Sequence, residues 1–285
     1  MNLLILVLLT VNADVAERCQ NNTVIITYGR GHGSGVLFTR DNTTFVWTVG
    51  HVAHRFMRSN GSFDTATIVQ GNKKAEARVL RASDYEITDD IALLQIIDRV
   101  PLTGDPALHE ALNCDKNDIA LMQVPNSVTG DAKFYRAFNH VKVGQLIIHV
   151  GTPGSAIHEL SVFRGSVSYI NRLYNIFPVL EPRFVDQINV TGGPGCSGGG
   201  VFDAETGGIH GFISLSTACG ISFITPTRSI YEFAKTHDCL WAFDREVLLP
   251  DEIIPWRSDL YTRTITNRDY GDSRWGDPGV TCTIN

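Results

Sequence analysis

The chain has 285 residues, a formal net charge of −6 and 43% hydrophobic residues, ordinary for a globular protein with room for one large domain or two small ones. An acidic balance without a basic cluster argues against nucleic acid as the main partner. Beyond the N-terminus no apolar segment is long enough to cross a bilayer.

Leu3 to Val11 is an apolar run broken only by Thr10, too short for a membrane span, and Val11-Asn12-Ala13 has the small-residue pattern of a cleavage site. Residues 1–13 are therefore expected to be a signal peptide cut before Asp14, the alternative being a buried strand or an N-terminal helix. Secretion agrees with sequons at Asn21, Asn42, Asn60 and Asn189, and with an even set of cysteines: Cys19, Cys114, Cys196, Cys219, Cys239 and Cys282.

From Thr23 onward short runs rich in β-branched and aromatic residues alternate with turn signals such as Asn60-Gly61. Strands are expected at Thr23–Tyr28, Gly35–Thr39, Thr44–Val49, Ala66–Gln70, Ala75–Arg81 and Ile91–Ile97. A second group comprises Ile119–Val124, Gly144–Val150, Leu160–Ile170, Phe184–Asn189, Gly200–Phe202, Gly208–Ser214 and Ile221–Thr225. Pro101–Asn117, with its prolines and charges, reads as the connector, and strands at this spacing suggest barrels or sandwiches. Thr227–Cys239 is the one clear helix: Pro226 precedes it, and Ile230, Phe233, Ala234 and His237 recur at helical spacing. The expected units are thus a β unit over 14–112, a β unit with the terminal helix over 113–240, and an irregular tail over 241–285.

The glycine-rich stretch Gly192–Gly200 is neither helix nor regular strand; it suits a tight loop that turns amides toward a ligand. Within it Cys196 and Ser197 are both potential nucleophiles if a base is near. His51 follows the strand Phe45–Val49, and Asp90 stands at the edge of the apolar run Ile91–Leu94, where burial would strengthen a carboxylate–imidazole interaction. His54 is a reserve base. No cofactor or metal is implied: His51-Val52-Ala53-His54 lacks the glutamate of a zincin helix, no cysteines form a Cys-x-x-Cys pair, and Gly29–Gly35 opens no helix.

Thr48-Val49-Gly50-His51, Asp90-Ile91-Ala92-Leu93-Leu94 and Gly195-Cys196-Ser197-Gly198-Gly199, in that order, resemble the three motifs of the trypsin/chymotrypsin superfamily of serine proteases. Gly33–Phe38 is similar to its strand before the histidine, and Gly220–Pro226 to the last strand of its HtrA-like branch; the likeness spans about residues 23–239. The resemblance implies an all-β fold of two antiparallel six-stranded barrels with a C-terminal helix, acting on a protein or peptide substrate. It implies Ser197 as nucleophile, His51 as base and Asp90 as orienting acid, with the amides of Gly195 and Ser197 as the oxyanion hole. It places Thr191 at the base of the P1 pocket, Gly220 and Ser222 on its far wall, and Ser214, Leu215 and Ser216 along the substrate backbone, with Ser214 supporting Asp90. Ile213 stands where a Glu- or Gln-specific pocket offers a histidine. With no charge in this set, the expected P1 residue is small or medium and uncharged.

Cys196 replaces the aspartate that zymogen-activated members pair with a new N-terminus, and no Ile-Val-Gly-Gly start is present, so that activation is not expected. The resemblance implies a bridge between Cys114 and Cys239; Cys196 with Cys219 and Cys19 with Cys282 complete the expected pairings. The rival readings are a catalytically inactive protease fold serving as a binding or effector protein, and a polyprotein-processing protease.

Overall fold

The computed structural model describes residues 13–29, 31–40, 43–58, 62–83, 90–98, 141–154, 159–174, 183–217, 219–242, 244 and 247–254. The expected signal segment before residue 13, the strand Ile119–Val124, the connector Pro101–Asn117 and most of the tail lie outside the described residues.

Two closed antiparallel barrels of six strands each form the body, as the resemblance implied. The first comprises β1 (Thr23–Tyr28), β2 (Gly31–Arg40), β3 (Thr43–Thr48), β4 (Ala66–Gln70), β5 (Lys73–Ala82) and β6 (Ala92–Ile96), in the order β1-β2-β3-β6-β5-β4. The second comprises β7 (Leu146–Gly151), β8 (Ser161–Tyr174), β9 (Arg183–Ile188), β10 (Gly200–Asp203), β11 (Ile209–Ser216) and β12 (Ser222–Pro226), in the order β10-β11-β12-β9-β8-β7. Closure leaves no unpaired strand edge, and each barrel fills its interior with inward-facing apolar side chains. Ile26, Val46, Ile68 and Leu94 are fully buried in the first, and Ile147, Val167, Ile188 and Ile224 form the core of the second.

A helix, α1, spans residues 13–21 ahead of β1. Val15 and Cys19, one helical turn apart, are buried, and Gln20 Nε2 donates to Leu160 O at 2.9 Å, tying the helix to the second barrel. At the other end α3 (Thr227–Thr236) buries Ile230, Phe233 and Ala234, as its spacing predicts. A single helical turn, α2 (Gly50–Ala53), follows β3.

The described residues after α3, which open the irregular tail expected from sequence, pack against the first barrel. Trp241 is buried against Phe45 with ring centroids 5.2 Å apart, and Trp47 Nε1 donates to Ala242 O at 2.9 Å. Arg40 Nη1 donates to Trp241 O at 2.7 Å, Arg81 Nε to His237 O at 3.0 Å and Arg78 Nη2 to Ile253 O at 3.1 Å. Residues of the C-terminal side thus complete the outer core of the N-terminal barrel. The irregular chain is held by arginine side chains that satisfy its carbonyls, which no local pattern announces.

The cysteine pairings need correction. Cys19, Cys196 and Cys239 are buried free thiols, so each expected bridge loses at least one member. Burial pushes the Cys19 and Cys239 thiols up to about 12, which makes them inert apolar packing groups.

Because Phe45 is fully buried and joins the first barrel to Trp241, Phe45→Ala should lower the unfolding free energy by about 3–5 kcal/mol. Urea unfolding followed by tryptophan fluorescence measures it; a loss below about 1 kcal/mol would show that the site collapses around the smaller residue.

Candidate active site

β3 ends at Thr48, and Val49, still extended, hands the chain to α2, so His51 lies in a helical turn rather than at the strand end itself. Its ring Nδ1 is 2.7 Å from Asp90 Oδ2, and its amide donates to Asp90 Oδ1 at 2.7 Å. An ionised carboxylate only accepts, so Nδ1 carries the proton and Nε2 is left as the basic nitrogen. The imidazole side chain keeps 30% exposure while the aspartate keeps 2%. Glycine at position 50 is needed here: a Cβ would lie 3.1 Å from Asp90 Oδ1 and 2.9 Å from Ser83 Oγ. The reserve base His54 is engaged elsewhere, its Nε2 2.8 Å from Ser83 O.

Asp90 takes a third donor from the other barrel, Ser214 Oγ, at 2.7 Å. Between Ile213 and Leu215 the β11–β12 register shifts, and Ser214 is the residue at the bulge; such irregularities re-aim a side chain. Arg183 at the start of β9 donates to Ser214 Oγ at 3.1 Å, which leaves the serine proton for Asp90. Burial by itself would raise the Asp90 carboxyl. The His51 charge and hydrogen bond, the Arg183 guanidinium and the Ser214 hydroxyl outweigh it and hold the group well below the usual carboxylate range.

Ser197 comes from the second barrel. Its carbonyl accepts from Ser34 N of β2 at 2.7 Å, which fastens the nucleophile loop to the first barrel. A Cβ placed on Gly33 would lie 2.7 Å from Val52 Cγ2 and 3.3 Å from Ser197 O, so the residue after His51 and the Ser197 backbone meet over one glycine. Ser197 is half-buried, whereas Cys196 is enclosed, its thiol pushed up by burial. Of the two potential nucleophiles only the serine is accessible to solvent. No hydrogen bond joins Ser197 Oγ to the His51 ring; in unliganded active sites such contacts are often long and tighten with substrate.

Gly195 has φ +95°, and a Cβ there would strike Thr152 O and the His32 ring, so both conformation and space require glycine. Among the described residues its amide and that of Ser197 have no acceptor. Two open N–H groups beside a nucleophile are the arrangement that receives a developing oxyanion.

The expected P1 residues converge. Ser222 Oγ donates to Val190 O at 2.6 Å, so in the Ser216–Ser222 contact of 2.9 Å the proton comes from Ser216. A Cβ on Gly192 would strike Ser216 Oγ, and one on Gly220 would sit 3.4 Å from Thr191 Oγ1. Leu215 and Ser216 are half-buried at the end of β11. Ile213 differs: it is buried in the core of the second barrel, its backbone bonded to Gly198 and Gly199.

Sequence reasoning missed Arg183, Ser34 and Thr152, all of which contact site residues from elsewhere in the chain. It also missed His149, fully buried behind the nucleophile loop, stacked on Phe163, with Nδ1 3.0 Å from Gly200 O. A Cβ on Gly199 would lie 2.8 Å from this ring and 2.9 Å from Cys196 O.

Residues 33–211 match the family model of the trypsin-like peptidase domain. No curated protein matches the chain. Among solved structures, the inactive form of Rv3671c protease from M. tuberculosis H37Rv as a Ser-to-Ala mutant aligns at 18% identity with a TM-score of 0.54, covering 79% of this chain and 90% of that one. The HtrA-type protease AlgW with a tripeptide aligns at 19% and 0.55, covering 79% and 62%; a serine endoprotease from Yersinia pestis aligns at 18% and 0.51, covering 79% and 66%. At these identities the likeness is one of fold.

Burial lowers the His149 pKa to about 4, against about 6.5 in an unfolded chain. Between those values the unfolded chain binds a proton that the folded protein refuses, so stability should fall as pH drops from about 6.5 to 4. His149→Leu should flatten this part of a denaturation-midpoint profile; an undiminished slope would assign the proton uptake to another group.

Proposed function

We propose, from the premise that the chain belongs to the trypsin-like peptidase family, that it is a serine endopeptidase working through an acyl-enzyme. The observation that carries this is the His51 imidazole pinned through both its amide and Nδ1 to a buried, ionised Asp90.

Ser197 Oγ attacks the scissile carbonyl while His51 Nε2 takes its proton, and the resulting oxyanion accepts from the Gly195 and Ser197 amides. The C–N bond then breaks as His51 returns the proton to the leaving amine, and water repeats the sequence on the ester. Asp90 stays ionised throughout and stabilises the imidazolium. The substrate is a protein or peptide whose backbone lies along Ser214–Ser216. The apolar run before Asp14 and the sequons support a secreted enzyme, and Cys196 in place of the activating aspartate supports one that needs no new N-terminus.

Labelling with an alkyl fluorophosphonate tests the assignment. Wild type should label, Ser197→Ala should not, and Asp90→Asn should slow peptide turnover by about 10⁴-fold by leaving the wrong imidazole tautomer. A folded wild type that never labels would favour a catalytically inactive binding protein. The uncharged set Thr191, Gly192, Ser216, Gly220 and Ser222 supports cleavage after small or medium uncharged residues. A peptide library read by mass spectrometry should show that preference, and cleavage mainly after Arg would overturn it.

A further inference from the structure

Four successive peptide planes build the nucleophile loop, and each is tied on at least one side. Pro194 O accepts from Gly154 N at 2.8 Å, and Cys196 O from Gly199 N at 2.9 Å. Because a trans peptide points its C=O and N–H in opposite directions, these two bonds aim the Gly195 and Ser197 amides away from the Gly154 and Gly199 donors. The Ser197–Gly198 plane is held on both sides, by Ser34 N on its carbonyl and by Ile213 O on the Gly198 amide.

The plane between the two open amides is the remaining one. Its amide, Cys196 N, donates to Gly193 O at 2.9 Å, a bond within the loop itself. Its carbonyl, Gly195 O, accepts at 2.8 Å from the hydroxyl of Ser34, a fully buried residue of the opposite barrel. Ser34 has one proton to give. Its oxygen also receives Thr152 N at 3.2 Å, so the chain of bonds runs from Thr152 N–H to Ser34 Oγ–H to Gly195 C=O. Ser34 is fixed in turn through its own carbonyl, which accepts from Thr48 Oγ1 at 2.7 Å. Without the hydroxyl, the Gly195 carbonyl has no other donor among the described residues, in a residue whose φ of +95° only glycine adopts readily.

We propose that Ser34 is a positioning residue: its hydroxyl, reaching across from the first barrel, orients the peptide between the Gly195 and Ser197 amides and so sets the two donors for the oxyanion. The catalytic part of this rests on the serine-protease reading. Ser34 touches no substrate and acts through the backbone of the loop. The N–H of Ser34 and the β1–β2–β3 ladder are backbone features that Ser34→Ala retains, so the substitution removes one hydroxyl and leaves the barrel its pairing.

The experiment is saturation labelling with an alkyl fluorophosphonate, resolved into the inactivation rate constant and the apparent inhibition constant. Ser34→Ala should label at least about tenfold more slowly at saturation, less than the 10²–10³-fold typical of losing an oxyanion donor outright, with an inhibition constant within about twofold of wild type. Ser34→Thr, which keeps the hydroxyl, should recover the rate to within about threefold. Labelling of Ser34→Ala at the wild-type rate would overturn the proposal, as would a Ser34→Thr protein as slow as Ser34→Ala. A wild type that does not label removes the protease reading alone. The Gly195 and Ser197 amide resonances then decide by NMR: displaced in Ser34→Ala and retained in Ser34→Thr if Ser34 holds the loop, unmoved in both if it does not.

Discussion

A carboxylate taken out of water costs several kcal/mol unless donors replace its hydration, and Asp90 sits at the junction of the barrels almost wholly excluded from solvent. Three donors meet it: the His51 amide and imidazole from the first barrel, and the Ser214 hydroxyl from the second. Hydrogen bonds to a charged acceptor contribute about 1.5–3 kcal/mol each, enough together to offset the burial, and the Arg183 guanidinium adds to them. The carboxylate therefore needs both barrels in place to remain ionised. The base of the site is as much an interface feature as a pair of residues.

The nucleophile loop meets the same requirement from the other direction. Ser197 belongs to the second barrel by chain order, but its carbonyl and that of Gly195 are held by Ser34 of β2. Two backbone carbonyls and one carboxylate thus find their partners across the cleft, in opposite senses. Behind the loop, Cys196 is enclosed with the neutral His149 ring close by. Burial keeps both groups uncharged.

Much of this was legible beforehand. Among the described residues, strand positions came within a few residues because β-branched and aromatic runs bounded by turn residues report local preference, and α3 because its apolar spacing reports one buried face. The helix over 13–21 went unread although Val15 and Cys19 stand one turn apart, a pattern too short to separate from the preceding apolar run. The docking of residues 237–254 left no local trace, because Arg40, Arg78 and Arg81 are ordinary charged residues until distant carbonyls arrive beside them. The cysteine pairings failed for a related reason: a bridge depends on two Cα atoms coming within about 7 Å, a distance no spacing in the chain encodes.

By itself the sequence determined the reactive groups and their order: a histidine after a buried strand, an aspartate before an apolar one, and a serine in a loop where only glycine tolerates the backbone. Those features follow from side-chain chemistry and local conformation. Ser214 as a support of Asp90 was already implied by the resemblance; the tertiary structure alone decided that a bulge in β11 delivers it, that Arg183 directs its proton, that Ser34 holds the loop, and that Cys196 is an enclosed thiol. Each of these joins or buries groups brought together only when the two barrels close on one another, and contacts at such separation are set by packing, which no local stretch of chain specifies.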